Sequence, residues 1–413
     1  MSWPTIPLKR IAVLTAGGTP AVGDPTYWSD GDEGHAWVSI SDMSSVDAVT
    51  STARRVSDAG LRSARIALGD PGTLLFSMYA SLGHTAWLST PAAWNQAILG
   101  LRPDSSTDSR FLRYSLVSLR PTLSDQARSN TQSNLNAEQV GNLAIPHPSL
   151  NEQRRVADFL DVETARIDEM VSRCQRLLML ANERDQSLLD SSLEAMSEKG
   201  GVIPFRRFIL GVDQGSSPQC DAIPAENGEW GVLKVSCLRP GLFNPRENKR
   251  LPPGVEPDVR AEVKRGDLLI TRANTPALVG STAVVKDVRP GLLLCDKIFR
   301  VRVSSELDPE FLAVVARGSR VRASSAATSN GASQSMANLR IEEIKEWSIP
   351  AVKLSDQQRL VALVSESHSV VMDLKDKVDR QLTLLAERRQ TLITAAVTGQ
   401  LDVTTAHPAH HSL

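Results

Sequence analysis

The chain repeats itself at a fixed interval. Asn134-Leu135 recurs as Asn338-Leu339, Ile145-Pro146 as Ile349-Pro350, Leu150 as Leu354, Gln153 as Gln357, Arg155 as Arg359 and Glu183-Arg184 as Glu387-Arg388, each pair 204 residues apart. One offset held across so many residue types is the signature of two copies of one structural unit. Upstream the correspondence loosens. Pro71-Gly72-Thr73-Leu74-Leu75-Phe76 aligns with Arg265-Gly266-Asp267-Leu268-Leu269-Ile270 at an offset of 194, so insertions separate the copies there. Each half reads as a variable segment followed by a shorter, less variable one, and 413 residues at about 150 per domain fit two or three domains.

The less variable segments read as long helices. Between Asn151 and Glu198, and between Ser355 and Thr398, there is neither proline nor glycine, and the boundaries expected are 151–198 and 351–400. Leu160, Ile167, Cys174, Ala181 and Leu188 form one column at seven-residue spacing in the first helix. Val364, Val371, Val378, Leu385 and Leu392 form its counterpart in the second, with Leu374 and Leu382 beside it. A heptad stripe of this length favours a coiled-coil seam over burial in a globular core. The simplest arrangement is an antiparallel coiled coil within the chain, each helix about 65 Å long at 1.5 Å per residue, with a pseudo-twofold internal repeat.

The variable segments, 1–150 and 199–350, carry short strand-like runs such as Ala36-Trp37-Val38-Ser39-Ile40 and Ile298-Phe299-Arg300-Val301-Arg302-Val303, bounded by Gly, Pro, Asp and Ser. Helical windows at Arg110 to Leu119 and Pro309 to Ala316 are interspersed. The fold class expected is therefore α+β: two mixed α/β domains separated by two long helices, with residues 401–413 as a flexible tail.

Charge narrows the function classes. Lys plus Arg number 46 and Asp plus Glu 47, which excludes a uniformly basic coater of nucleic acid. The near-neutral total conceals an acidic first helix, with 6 positive and 11 negative residues over 151–198, and a basic second domain, with 22 and 17 over 199–350. Arg317, Arg320 and Arg322 lead into a polar loop from Ala323 to Ala337 that contains Gln334. A shorter analogue from Gln126 to Asn134 holds Arg128, Asn130 and Gln132. Arg, Asn and Gln make bidentate hydrogen bonds to guanine and adenine edges, while hydroxyls and backbone amides suit phosphates. Both loops are therefore candidate DNA readers, although a solvated surface loop has the same composition. Gly17-Gly18-Thr19-Pro20 and Gly215-Ser216-Ser217-Pro218 suit either a phosphate grip or a plain turn. Arg272, Asn274, and Lys297 beside Asp296 are polar groups at strand edges, where either a groove-reading surface or structural salt bridges would lie.

Other chemistries lack their residues. There is no phosphate loop for a nucleoside triphosphate, no glycine-rich dinucleotide or S-adenosylmethionine fingerprint and no adenine-methyltransferase tetrapeptide. Glu343-Ile344-Lys345 resembles a fragment of a nuclease metal site, but its acidic neighbours Glu342 and Glu346 fit a helix surface better. Cys174, Cys220, Cys237 and Cys295 form no CxxC pair, so reduced thiols are expected, and His407, His410 and His411 fall in the tail. No catalytic or metal-binding constellation emerges. No apolar run reaches the ~18 residues of a membrane helix and the start lacks a signal-peptide layout, so a cytoplasmic protein is expected.

Taken in order, these residues resemble the DNA-specificity subunit of type I restriction–modification systems. The resemblance rests on Gly17-Gly18-Thr19-Pro20, Trp37-Val38-Ser39-Ile40-Ser41-Asp42, Pro71 to Leu75, Asn95-Gln96-Ala97-Ile98, Asn134-Leu135 and Ile145-Pro146 through Gln153. The second half repeats the theme in Lys264 to Ile270, Val279-Gly280, Asn338-Leu339, Ile349-Pro350 and Asp356-Gln357, without a clean Gly-Gly-Thr-Pro. The resemblance implies a non-catalytic subunit with two target-recognition domains, each reading half of a split, asymmetric site in double-stranded DNA. Gly18, Thr19, Ser39 and Ser41 join the candidate DNA-binding residues on this ground. It further implies that the paired helices act as a ruler and seat two methyltransferase (modification) subunits, that restriction/translocase subunits join them, and that S-adenosylmethionine, ATP and Mg chemistry resides in those partners. A coiled-coil interaction scaffold without a DNA role is the alternative, and it leaves the basic second domain and its polar loops unexplained.

Overall fold

The structure, a computed structural model, describes residues 3–29, 33–44, 46–79, 81–129, 134–328, 330–333 and 336–403, with backbone alone for 124–129, 328, 330–333 and 336. Two compact units divide it: Met1–Cys174 with Asp379–Leu413, and Gln175–Val378. The two long helices run over Leu150–Gly200 and Leu354–Val397. Rather than standing apart as connectors, each helix contributes one portion to each unit, because each unit closes its core on parts of both. Among the described residues no helix is long and apolar enough to cross a membrane.

In the first unit a five-stranded sheet runs in the order Ala12–Ala16, Ile98–Pro103, Leu74–Ser77, Thr85–Leu88, Ala48–Val49, antiparallel except for the last pair. Leu74-Leu75-Phe76-Ser77 is buried at every position, three apolar residues and a serine at the centre of the sheet. A four-stranded sheet (Trp28–Ser29, Arg54–Val56, His35–Val38, Ala92–Trp94) lies beside it in sequence. In the second unit a four-stranded antiparallel sheet takes the order Ile209–Gln214, Ile298–Val303, Leu268–Thr271, Thr282–Val284.

The repeated residues prove to be clamps between each domain and its helix. Gln153 is fully buried; its Oε1 accepts from the Asp108 amide at 2.8 Å, and its Nε2 donates to the carbonyls of Ser106 at 3.1 Å and Pro148 at 3.0 Å. Gln357 makes the same three bonds with the Asp308 amide (2.8 Å), Glu306 (2.9 Å) and Val352 (3.2 Å). A second carboxamide pair, Gln186 and Gln390, also 204 residues apart, reaches the carbonyls of Arg317 and of Val117 with Ser118. Pro121 sits inside the helix Ser109–Ser129 and cannot donate to the Val117 carbonyl four residues back, so Gln390 supplies a donor there.

The seam follows the heptad column, with a drift. Leu160, Ile167 and Leu385 are buried in the first unit, and Val364, Val371 and Val378 in the second. Cys174, Ala181, Leu188 and Leu392 are only half-buried, while Leu189 and Ile393 are buried almost completely. An α-helix of 3.6 residues per turn rotates away from a strict 3.5 repeat, which moves the buried position one residue onward near the helix ends. Polar pins accompany the apolar column. Asp168 pairs with Arg389 in the first unit. In the second, Asp185 accepts from Ser367 Oγ at 2.6 Å and meets His368 Nδ1 at 3.2 Å and the Arg317 guanidinium at 3.5 Å.

Two loops expected from the sequence fold as regular structure instead. Gln126 to Ser129, including Arg128, continue the helix Ser109–Ser129, while Asn130 and Gln132 lie outside the described residues. Ala323 to Thr328 belong to the helix Ser319–Thr328, whose first residue is tied by its amide and hydroxyl to Asp190. The chain then forms strands Asn330–Ser333 and Met336–Asn338, the latter paired with Ala273–Asn274. Gln334 and the tail from residue 404 onward, with His407, His410 and His411, lie outside the described residues.

Candidate nucleic-acid interface

Each unit builds the same small frame at one end of its main sheet. In the first unit the Gly17 amide donates to the Ile98 carbonyl at 3.3 Å and the Gly18 amide to the Trp94 carbonyl at 2.9 Å. The Met78 amide donates to Ala97 at 2.8 Å, and the Leu135 amide to Met78 at 3.2 Å. In the second unit the Arg272 amide donates to Lys297 at 2.9 Å, and the Leu339 amide to Arg272 at 2.7 Å. Glycine is required at equivalent places, since a Cβ on Gly17 would overlap the Asn95 carbonyl oxygen and one on Gly215 the Leu294 carbonyl oxygen. Across each frame runs one side-chain bond: Thr19 Oγ1 donates to Gln96 Oε1, and Ser217 Oγ donates to Asp296 Oδ1. Gln214 Nε2 adds a bond to the Asp296 carbonyl at 2.6 Å.

This geometry revises several sequence expectations. The amides of Gly17 and Gly18 are consumed inside the fold, and the Gly18 carbonyl accepts from Trp37 Nε1 at 3.0 Å, so the turn offers no free amide pair to a phosphate. Ser39 caps the short helix Ile40–Met43 with Asp42, and Ser41 bonds to Ser39 at 2.8 Å. Arg317 is a docking residue: its guanidinium faces Asp185 and His368, and burial pulls its pKa below the ordinary arginine value. Arg322 is a strut, donating to the carbonyls of Val279 at 2.5 Å and Ala277 at 2.6 Å, with its pKa likewise lowered by burial. A run of three arginines reads alike in sequence, whereas packing consumes two of them and leaves Arg320 exposed.

Arg272, Asn274 and Lys297 do come together. Arg272 and Lys297 share the backbone bond above, and Asn274 lies two residues further along. Among the described residues neither Arg272 nor Lys297 has a carboxylate partner; the Arg272 guanidinium lies 5.9 Å from the centroid of the Phe299 ring. Both are half-buried, so their stems are held by the fold while their charges remain available. Gln96, exposed, and Asp296, half-buried, complete the frame and carried no role in the sequence reading beyond their neighbours' motifs. In the first unit Arg54 stacks 3.7 Å over the Trp28 ring, which packs edge-on against Trp37 at 5.0 Å. Among the described residues no His, Cys, Asp and Glu group could hold a metal ion.

Residues 17–171 match the family described as type I restriction modification DNA specificity domain. The EcoEI specificity subunit of Escherichia coli is 27% identical over 173 residues, 41% of this chain and 29% of that protein. The EcoBI specificity subunit, also of Escherichia coli, is 19% identical over 360 residues, 80% of this chain and 74% of that one. The match thus spans well under two thirds of the EcoEI protein, and likewise only 59% of the MjaIX specificity subunit of Methanocaldococcus jannaschii. In fold, the chain is similar to one in a solved structure described as "Structural basis underlying complex assembly and conformational transition of the type I R-M system", with a TM-score of 0.66, 16% identity and coverage of 97% and 98%. Residues 17–171 thus carry the likeness to the type I restriction modification DNA specificity domain, and the chain is similar to specificity subunits of type I restriction enzymes.

Proposed function

We propose that the chain is the DNA-specificity subunit of a type I restriction–modification complex, that each unit reads one half of a split asymmetric site in double-stranded DNA, and that it performs no chemistry itself. The observation that carries this reading is the duplicated frame with dissimilar side chains. Two units share backbone bonds and carboxamide clamps, yet present Thr19 with Gln96 in one and Ser217 with Asp296 in the other. Conserved geometry with divergent polar tips suits two readers of different sequences. Arg272, Lys297, Arg320 and Arg128 are the proposed DNA contacts, with phosphate contacts fixing register and base edges setting sequence.

The helices are the proposed seats for two modification subunits, with restriction subunits joining through them. Their outward surfaces carry exposed apolar side chains, Met170 and Leu384 in the first unit and Leu177, Leu180, Leu363 and Val370 in the second, of the kind that marks a protein-binding surface. S-adenosylmethionine, ATP and Mg belong, in this reading, to the partners, and the complex works in the cytoplasm. The test is a map of N6-methyladenine across host DNA by single-molecule sequencing, with and without the chain. A split motif present only with the chain supports the reading. Methylation that does not depend on the chain, given an assembled complex, overturns it.

A further inference from the structure

We infer that the residue held by the frame's hydroxyl is a specificity determinant in each unit: Gln96 of the first unit reads an A·T pair, and Asp296 with Lys297 and Arg272 of the second reads a G·C pair. This rests on the DNA-reading function proposed above and goes further by assigning a base class to each frame. The argument begins with the correspondence of the two frames. Met78 and Arg272 each donate their amide to the carbonyl of Ala97 or Lys297, and each accepts from the amide of Leu135 or Leu339. Thr19 and Ser217 each donate a hydroxyl to the residue just before Ala97 or Lys297. These two backbone bonds and the hydroxyl bond are therefore matched, and the chemistry differs at four matched places. The first unit has Thr19, Gln96, Ala97 and Met78; the second has Ser217, Asp296, Lys297 and Arg272.

The two sets differ in a way that base edges distinguish. Gln96 is exposed, and the Thr19 bond occupies one lone pair of Oε1. The bond orients the carboxamide, and among the described residues the other lone pair and both Nε2 hydrogens have no partner, which is the donor–acceptor couple that matches adenine N6 and N7. Ala97 and Met78 are buried and bring no charge. In the second unit Ser217 holds Oδ1 of Asp296, and among the described residues the other carboxylate oxygen has no partner, which makes it an acceptor for cytosine N4. Beside it stand two cations without carboxylate partners among the described residues, Lys297 and Arg272, the types that donate to guanine O6 and N7. An acceptor next to cationic donors matches the two edges of one G·C pair. A carboxylate alone would repel DNA, and the adjacent cations offset that repulsion.

The test uses the full chain in complex with the modification methyltransferase of its own genome, taken through selection from a random duplex library and sequenced. Variants Gln96→Glu and Asp296→Asn keep side-chain size, and thermal melting checks that each remains folded; Lys297→Ala provides a second probe of the second frame. The expected result is a split site in which Gln96→Glu lowers the preference for adenine at one position of one half by about tenfold to a hundredfold. Asp296→Asn and Lys297→Ala should relax one G·C position in the other half by a similar factor, each leaving the opposite half unchanged. If the unaltered complex selects no split site, the proposed function fails, and this assignment with it. If it selects one and folded variants select the same sequence with the same stringency, the frame assignment is overturned while the DNA-reading function stands.

Discussion

Removing the carboxamide of Gln153 tests whether the repeated residues hold each domain to its helix. The Gln153→Ala variant leaves one backbone N–H, that of Asp108, and two carbonyls, those of Ser106 and Pro148, without the partner they have at 2.8 to 3.1 Å. A neutral hydrogen bond contributes about 1 kcal/mol net, and a buried group left unsatisfied costs about 1–3 kcal/mol. Water entering the vacated space recovers part of that, so the expected loss is about 3–5 kcal/mol. Urea unfolding followed by tryptophan fluorescence measures it, since Trp3, Trp28, Trp37, Trp87 and Trp94 lie in the first unit and only Trp230 and Trp347 in the second. Gln153→Ala should therefore move the main fluorescence transition, whereas Gln357→Ala should spare it and move the smaller signal from the second unit. Gln153→Glu keeps an acceptor for Asp108 but turns carboxylate charge toward two carbonyls, and should cost at least as much as alanine. A loss below about 1 kcal/mol for either alanine variant would refute the clamp.

Three other outcomes follow from the same packing. Gly17→Ala places a methyl against the Asn95 carbonyl and the Trp94 ring, whereas a Cβ on Gly23 meets nothing within 4 Å. The first should destabilise by about 1–3 kcal/mol and the second should leave the melting temperature nearly unchanged, as differential scanning calorimetry would record. Burial pushes the Tyr114 hydroxyl up to about 12 from its ordinary value of 10.0. Its protonated form is therefore favoured in the folded state, and the stability it contributes is present below pH 10 and lost as pH rises toward 12. Tyr114→Phe should show a shallower alkaline loss over that window, and parallel curves would rule the assignment out. Deleting one heptad from each long helix shortens each by about 10 Å, and under the proposed function the preferred spacer between half-sites should change by about three base pairs; an unchanged spacer in the methylation map defeats the ruler.

The long helices and the duplication were legible because both leave regular traces: apolar residues every seven positions, and identical letters 204 apart. What those letters do was not. Gln153 and Gln357 look like any surface glutamine in a helix until the loop that leads into the domain's own preceding helix closes over them. The frame was harder to see, since its matched residues sit at different offsets: 198 for Thr19 and Ser217, 200 for Gln96 and Asp296, 194 for Met78 and Arg272, and 204 for Leu135 and Leu339. Insertions between strands change the spacing without changing the sheet, so only the folded backbone aligns the four. The arginine run failed for the converse reason. Charge in a sequence says nothing of burial: Arg317 ends one helix and is half-buried, while Arg320 and Arg322 share the helix Ser319–Thr328 and only Arg320 is exposed.

Asp185 shows why an acid belongs on an otherwise apolar seam. The column Val364, Val371, Val378 repeats every seven residues, and so does the facing column of the first helix. Sliding one helix by a heptad would put apolar residues against apolar residues again, so burial alone selects among registers weakly. A charged group on the seam selects sharply. In the observed register Asp185 has a hydroxyl, an imidazole and a guanidinium around it; a slip of one heptad that puts Leu360 and Val361 in the places of Ser367 and His368 leaves a buried carboxylate without two of its three partners. Burying a charge without partners costs several kcal/mol, while a paired one contributes little net stability. The cluster therefore acts mainly against wrong alignments. Because Arg317 belongs to the domain rather than to either long helix, a slip would also undo the domain's docking, which couples the register of the second unit's helices to the placement of its frame.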